Sequence, residues 1–252
     1  MVRGLKIFQR HFQEYGEHYV LIGGAACDLA METAGLEFRA TKDLDIVLCA
    51  ETLDEKFVKA FWQFLSDGGY RIRQNETGRR QYYRFTQPEN SEFPYMLELF
   101  SRKPDMLRPA KGSRLTPVHA GKEVESLSAI LLDDDYYYFL LNGRRMVDGL
   151  PVVEPEHLIP LKAKAWLDLK KRKEQGEKID SRDVNKHKND VFRLFRVIDP
   201  EARPDTPKTI RNDMLAFLHE MRTESVDTAN LGLRETTREE ILKELRRFYG
   251  IG

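Results

Sequence analysis

The chain has 252 residues, of which 41% are hydrophobic and 33% are charged. This length supports one large domain or two small ones with a real core, and the composition excludes a disordered chain. The 41 basic and 41 acidic residues give a formal net charge of zero, so any surface for a polyanionic partner has to be local.

The first fifty residues alternate helical and extended patterns. Residues 4–15 have apolar side chains at helical spacing, and "YVLIGG" predicts a buried strand that ends in a Gly23-Gly24 turn. "AACDLAMETAG" predicts a helix that Gly35 stops, and "DLDIVLC" predicts a second strand. This order is strand, glycine turn, helix and strand.

The next hundred residues add one helix and several strands. Apolar residues at helical spacing over 57–65 predict a helix that "SDGG" closes. "YRIRQ", "YYRFTQ" and "YMLELFSR" predict strands, and "YYYFLLNG" followed by "RRMVDGLPVV" predicts a hairpin around Asn142-Gly143.

After Pro155 the pattern becomes helical, with helices expected near 160–174, 183–198, 207–222 and 236–248. We therefore expect an α+β fold in two parts. Residues 1–153 would form a mixed sheet flanked by helices, and residues 154–252 a helical domain that completes the active-site cleft.

Cysteine content and hydrophobic patterning indicate the compartment. Cys27 and Cys49 are too few for a disulfide framework, which favours a reducing cytoplasm. The N-terminus does not resemble a signal peptide, and no run approaches the roughly 20 apolar residues that span a bilayer. We expect a cytoplasmic protein with no membrane partner.

Asp43 and Asp45 are two carboxylates on one predicted strand. Side chains alternate along a strand, so both aspartates project to one side while Leu44 and Ile46 point into the core. Two close carboxylates repel each other unless a cation neutralises them, and Mg²⁺ takes one or two carboxylates together with phosphate oxygens. The alternative is a pair of solvated aspartates at a strand end, because short acidic motifs match often by chance.

Glu98 is the single carboxylate of the apolar strand "YMLELFSR". Its neighbours on the same face, Met96 and Phe100, are apolar, so the carboxylate is expected to be buried. A buried carboxylate without a partner destabilises a fold by about 3–5 kcal/mol. Glu98 is either a third metal ligand beside the two aspartates or the partner of an arginine such as Arg84 or Arg102.

The Gly23-Gly24 turn precedes a predicted helix. Glycine lets the backbone approach a phosphate, and a helix N-terminus favours anions, although close packing on a neighbouring strand is the usual reason for such a turn. Together with the carboxylates, the turn predicts one site in which Gly23 and Gly24 hold a triphosphate and Asp43, Asp45 and Glu98 hold Mg²⁺.

These motifs resemble a known superfamily. Gly23-Gly24, "RATKDLDIVL" and "MLELF" are similar to the signature of polymerase-β-type nucleotidyltransferases, and over roughly residues 15–198 the chain resembles the AbiEii/AbiGii toxin family of nucleotidyltransferases. That resemblance implies the nucleotidyltransferase fold. It also implies that Arg39 and Thr41, beside the aspartates, position phosphate or the strand itself. The superfamily often has a serine where this chain has Gly24.

The resemblance extends to a lysine and a later aspartate. Lys162 in "LKAKA" lies on the apolar stripe of its predicted helix, and the resemblance implies that it donates to nucleotide phosphates; the alternative is a lysine at the edge of the stripe. The family's helix aspartate corresponds to Asp190, which would act as a general base, or orient Lys162 or the base of the nucleotide. Its ordinary role would be a surface ion pair with Arg193 or Lys186.

An excess of basic residues in one segment bears on the kind of partner. Residues 162–196 contain 12 Lys/Arg and 6 Asp/Glu, which is consistent either with a surface for a polyanion or with a solvated helical face.

The resemblance implies a Mg²⁺-dependent enzyme, with one or two metal ions, that moves a nucleotide from an NTP to an acceptor hydroxyl. Asp43, Asp45, Lys162 and Asp190 would be its catalytic residues. The acceptor would be RNA such as tRNA, or a protein, and the enzyme the toxin of a toxin–antitoxin or phage-defence system with a cognate antitoxin. The alternatives are a nucleotidyltransferase of small, antibiotic-type molecules and a catalytically silent NTP- or RNA-binding module of the same fold.

Overall fold

The computed structural model describes residues 2–74, 82–102, 116–117, 127, 130–131 and 133–251. Its contacts divide the chain into two compact units. The first is Met1–Gly121 with Arg144–Val153, and the second is Lys122–Gly143 with Glu154–Gly252.

The first unit is built on one mixed sheet. Its strands are β1 (Tyr19–Ile22), β2 (Asp43–Leu48), β3 (Arg71–Gln74), β4 (Tyr82–Thr86), β5 (Met96–Phe100), β6 (Thr116–Pro117), β7 (Arg144–Val147) and β8 (Leu150–Val153). The strand order is β6-β3-β4-β5-β2-β1-β8-β7. In the centre of the sheet, β2 runs antiparallel to β1 and parallel to β5, and β5 runs antiparallel to β4.

Helices α1 (Leu5–Phe12), α2 (Gly23–Thr33) and α3 (Glu55–Gly68) belong to the same unit. Phe12 packs α1 against α3, because its ring centroid lies 5.8 Å from that of Phe57 and 5.3 Å from that of Phe64, both in α3. All four residues of β1 are buried, as the unbroken apolar run predicts.

The second unit is helical where it is described. Its helices are α4 (Asp134–Asn142), α5 (Pro155–Glu174), α6 (Ser181–Phe195), α7 (Lys208–Glu220) and α8 (Arg238–Phe248). Trp166 of α5 packs edge-on against Phe217 of α7, with ring centroids 5.5 Å apart. None of the helices in the described part of the chain is long and apolar enough to cross a membrane.

The predicted fold class is confirmed: a mixed sheet flanked by helices is followed by a helical portion. The predicted strands before residue 101 and the four C-terminal helices are all present. Helix α5 begins at Pro155 rather than near 160. Proline is tolerated there because the first N–H groups of a helix have no hydrogen-bond acceptor within the helix, so its missing N–H costs nothing.

The predicted hairpin around Asn142-Gly143 is wrong. "YYYFLLN" belongs to α4, which Asp133 caps by accepting a hydrogen bond from the backbone N–H of Tyr136 at 3.2 Å. The hairpin instead joins β7 to β8 through Asp148 and Gly149, whose φ angles are 49° and 75°. The aromatic run was misassigned because its buried residues suit a helix face as well as a strand.

His157 of α5 is a half-buried titratable group of the second unit. Its ring lies 4.5 Å from the ring of Phe139, and its Nδ1 has no hydrogen-bond partner among the described residues. Burial disfavours the charged ring and lowers its pKa to about 4. The imidazole is therefore neutral in the folded protein at neutral pH.

We predict that His157 makes the fold sensitive to acid. In the unfolded chain His157 has the ordinary histidine pKa of 6.5, whereas in the folded protein its pKa is about 4. As the pH falls below 6.5, the unfolded chain therefore binds a proton that the folded protein does not, and the free energy of unfolding decreases until the pH reaches about 4. Between pH 7 and 5, wild type should lose about 1–2 kcal/mol more unfolding free energy than His157→Gln in urea titrations. Parallel pH profiles of the two proteins would contradict the assignment.

Candidate active site

Four residues form a row across the centre of the sheet. Asp45 of β2 lies opposite Ile22 of β1 on one side and Glu98 of β5 on the other, and Glu98 lies opposite Arg84 of β4. The side chains of Arg84, Glu98 and Asp45 therefore stand side by side on one face of the sheet. The row carries one positive and two negative groups.

Strand alternation places the aspartates as the sequence predicts. Asp43 and Asp45 are half-buried, whereas Leu44 and Ile46 between and after them are 0% and 1% exposed. The apolar side chains fill the core on one face of β2, and both carboxylates project from the opposite face.

Gly23 allows the Asp45 carboxylate to lie against the start of helix α2. Gly23 is the first residue of that helix and has a φ of +67°. A Cβ atom built on it would lie 1.7 Å from Asp45 Oδ2, so any other residue would displace the carboxylate. The glycine is therefore part of the carboxylate site and not only a turn.

Gly24 makes a similar close contact with Thr41. A Cβ atom at position 24 would lie 2.5 Å from the Thr41 hydroxyl oxygen, Oγ1. The hydroxyl is thus brought to the N-terminal turn of α2, beside the position where Gly23 meets Asp45. The nearby Arg39 is half-buried, with its Cζ 5.1 Å from the centroid of the Phe38 ring.

Glu98 is paired with an arginine. Only 5% of it is exposed, and Arg84 Nε donates a hydrogen bond to Oε1 at 2.7 Å while Arg84 Nη2 forms an ion pair with the same oxygen. Burial and the neighbouring Asp45 raise the pKa of Glu98 well above its usual value, and Arg84 partly opposes them. The arginine partner is present, and the role of Glu98 as a metal ligand stays a prediction.

The donor set is compatible with Mg²⁺. Among the described residues, no group of three or more His, Cys, Asp or Glu side chains is arranged to hold a metal ion. Mg²⁺ does not require such a group, because it takes one or two protein carboxylates and completes its shell with phosphate and water oxygens. Asp43 and Asp45 supply hard oxygen donors of that kind, and the crowding of Asp45 against Glu98 favours a cation nearby.

The second unit contains the predicted Lys162 and Asp190 as a buried pair. Lys162 of α5 is 2% exposed and Asp190 of α6 is 0% exposed, with Lys162 Nζ 3.6 Å from Asp190 Oδ2. Among the described residues, Asp190 is the only polar partner of the Lys162 ammonium. Arg193, one turn further along α6, places its Nη1 3.2 Å from the other carboxylate oxygen, Oδ1.

Three lysines of the basic run of residues 162–196 pair with carboxylates of the second unit that lie outside the run. Lys164 Nζ lies 2.8 Å from Asp213 Oδ1, Lys170 Nζ lies 2.7 Å from Glu220 Oε2, and Lys188 Nζ lies 3.1 Å from Glu224 Oε2. These acidic partners follow the run by many residues, so the local count overstated its net charge.

Comparisons with known proteins find solved structures that are similar to this chain but no family to which it can be assigned. No family model and no curated protein matches the chain. Among solved structures, the chain is similar to an antigenic nucleotidyltransferase-like protein from Paracoccidioides brasiliensis, with 17% identity over 89% of this chain and 88% of that one and a TM-score of 0.45. It is also similar to the Megavirus polyadenylate synthase, with 11% identity over 87% of this chain and 36% of that one and a TM-score of 0.42. At these scores, neither match establishes an activity.

We predict that Gly23→Ala damages the site far more than Gly35→Ala. Both glycines have positive φ angles, +67° and +70°, so both variants bear about 1 kcal/mol of backbone strain. Only the Cβ at position 23 meets the Asp45 carboxylate, since a Cβ at position 35 would have no atom within 4 Å. Overpacking should cost Gly23→Ala about 1–3 kcal/mol more in urea unfolding. Equal losses would show that the contact with Asp45 does not constrain position 23.

Proposed function

We propose that the chain is a Mg²⁺-dependent nucleotidyltransferase that moves a nucleotide from an NTP to an acceptor hydroxyl. The observation that carries this proposal is the packing of Asp45 against Gly23. It brings a carboxylate suited to a metal ion to the N-terminus of a helix, where backbone N–H groups and the helix dipole favour phosphate.

The phosphate side of the site is the first turn of α2. Gly23 and Gly24 have no side chains that would keep a triphosphate from the backbone, and the Thr41 hydroxyl lies beside Gly24 as a further donor. Asp43 and Asp45 would hold one or two Mg²⁺ ions, with Glu98 as a third carboxylate next to Asp45. When bound, the metal neutralises phosphate charge and favours attack of the acceptor oxygen on the α-phosphorus, with pyrophosphate as the leaving group.

The motif resemblance supports Lys162 as a ligand of nucleotide phosphate. A buried ammonium whose only described polar partner is a carboxylate 3.6 Å away has donors for another anion. Asp190 is fully buried and lies between two cations, which favours orientation of Lys162 over proton abstraction from an acceptor. We therefore assign Asp190 the orienting role.

The acceptor and the biological role rest on the motif resemblance. The similarity of "RATKDLDIVL" to the AbiEii/AbiGii toxins supports a hydroxyl of RNA, such as tRNA, or of a protein as the acceptor. It also supports a toxin role, opposed by a cognate antitoxin, in a toxin–antitoxin or phage-defence system.

Transfer of label from each α-³²P-NTP tests the function. With Mg²⁺ present, wild type should label one acceptor among total RNA, protein and small hydroxyl compounds, which include aminoglycosides. Asp43→Asn and Asp45→Asn should each lower the rate at least about 100-fold, because they remove metal ligands. Asp67→Asn, at an exposed carboxylate of α3, should be unchanged. The proposal fails if the Asp43 and Asp45 variants transfer label at the wild-type rate.

If no acceptor is labelled, the toxicity of wild type and Asp43→Asn on expression in cells tests the proposed activity. If no acceptor is labelled and Asp43→Asn is as toxic as wild type, nucleotidyl transfer is not the activity of the chain. A silent NTP-binding module would instead bind Mg²⁺ and NTP without transfer.

We predict that Lys162→Met weakens NTP binding. Loss of the ammonium should raise the KM for NTP by about 10–100-fold, since a charge-assisted contact to phosphate is removed. Lys171→Met is the matched control, because Lys171 is an exposed lysine of the same helix. Steady-state kinetics in NTP measure the difference, and equal KM values for the two variants would exclude Lys162 from the phosphate site.

A further inference from the structure

We propose that the helical unit contains a further binding site, a cleft that takes a small organic anion with an oxyanion head group on an apolar body. The cleft has a volume of about 340 Å³ and is lined by residues at the C-terminal ends of α6 and α8 and in the segment after α6. It lies entirely in the second unit and contains none of the residues assigned to the nucleotide. The inference is therefore independent of the proposed function.

Part of the cleft lining is apolar. Phe195 and Ile198 are half-buried, and Phe248 is 5% exposed. Sites for small organic molecules have volumes of about 300–1,000 Å³ and are lined mainly by apolar and aromatic side chains, with a few polar groups that fix the orientation of the ligand. The cleft has the size and the apolar surface for a compact aromatic or aliphatic body.

The charged part of the lining is mostly positive. Arg196, Arg203 and Arg247 line the cleft together with one carboxylate, that of Glu244. Glu244 pairs with Arg247, whose Nη2 lies 2.8 Å from Glu244 Oε2, one turn away on α8. The other two guanidiniums are the groups that would bind an anion.

Neither Arg196 nor Arg203 has a carboxylate partner among the described residues. Arg196 Nη1 donates a hydrogen bond to the Leu231 carbonyl at 3.4 Å, and Arg203 Nη1 donates one to the Pro200 carbonyl at 2.7 Å. Arg196 directly follows α6, yet this hydrogen bond leads to residue 231 and not to a carbonyl of that helix. A guanidinium has five N–H donors, so each arginine keeps donors for an oxyanion, which a guanidinium can bind in a bidentate manner.

Both guanidiniums are held in position by their surroundings. Gly232 packs against Arg196, because a Cβ atom built on the glycine would lie 2.5 Å from Nη1 and 2.6 Å from Cζ. Arg203 lies over the ring of Phe248, with its Cζ 5.8 Å from the ring centroid. Side chains that are already ordered lose less conformational entropy when a ligand binds. An anion with an apolar body gains from these arginines and from the apolar lining at once.

Isothermal titration calorimetry with 2-naphthoate tests the site, because this probe joins a carboxylate to a compact aromatic body. Wild type should bind it with a Kd of about 1 mM or lower. 2-Naphthamide has the same shape without the charge, and acetate has the head group without the body. Each should bind at least about tenfold more weakly. Equal affinity for 2-naphthoate and either of these compounds would overturn the proposal.

2-Naphthyl phosphate distinguishes a phosphate head group from a carboxylate. The anion that binds more tightly identifies the head group, and either supports the site if its binding requires both arginines. Absence of detectable binding for both naphthyl anions would overturn the proposal.

Arginine variants locate the binding of the probe. Arg196→Gln and Arg203→Gln should each raise the Kd of the bound naphthyl anion by about tenfold. Arg211→Gln is the matched control, because Arg211 is an exposed arginine of α7 outside the cleft, and its Kd should stay within about twofold. Urea unfolding establishes that the compared proteins are folded, and exposed Arg203 keeps the test available if Arg196→Gln does not fold. An unchanged Kd in a folded variant of either cleft arginine would overturn the proposal.

A pair of glycine variants tests the position of Arg196. Gly232 and Gly176 both have positive φ angles, +80° and +92°, so Gly232→Ala and Gly176→Ala carry similar backbone strain. Only the Cβ at position 232 meets the Arg196 guanidinium, since a Cβ at position 176 would have no atom within 4 Å. Gly232→Ala should raise the Kd by about tenfold and Gly176→Ala by less than about twofold. Equal Kd values for the two variants would contradict the role of Arg196 in the site.

Discussion

The contact between Asp45 and Gly23 is the constraint on which the first unit's site depends. Asp45 pairs with Ile22 in the antiparallel β1–β2 ladder, and the chain enters α2 at the very next residue. The carboxylate therefore has to occupy the space where the Cβ of residue 23 would be. Because Gly23 has no Cβ atom, the β1–β2 register, the start of α2 and the position of the Asp45 carboxylate are compatible with one another.

The charges in the central row follow from this packing. Asp45 cannot move away from Glu98 without leaving the start of α2, and Glu98 is held on its other side by Arg84. One guanidinium faces two carboxylates, and burial together with Asp45 raises the pKa of Glu98, so the row favours binding of a proton or another cation.

Local sequence patterns predicted most of the helices and strands, whereas contacts between residues distant in the chain were not predictable from them. Alternation along "DLDIVL" was sufficient to place Asp43 and Asp45 on one face, whereas the aromatic run of α4 had no pattern that separates helix from strand. Glu98 was identified as a buried carboxylate, but the choice of Arg84 over Arg102 depends on how β4 pairs with β5. The acidic partners of the basic run, on and after α7, were beyond any local count.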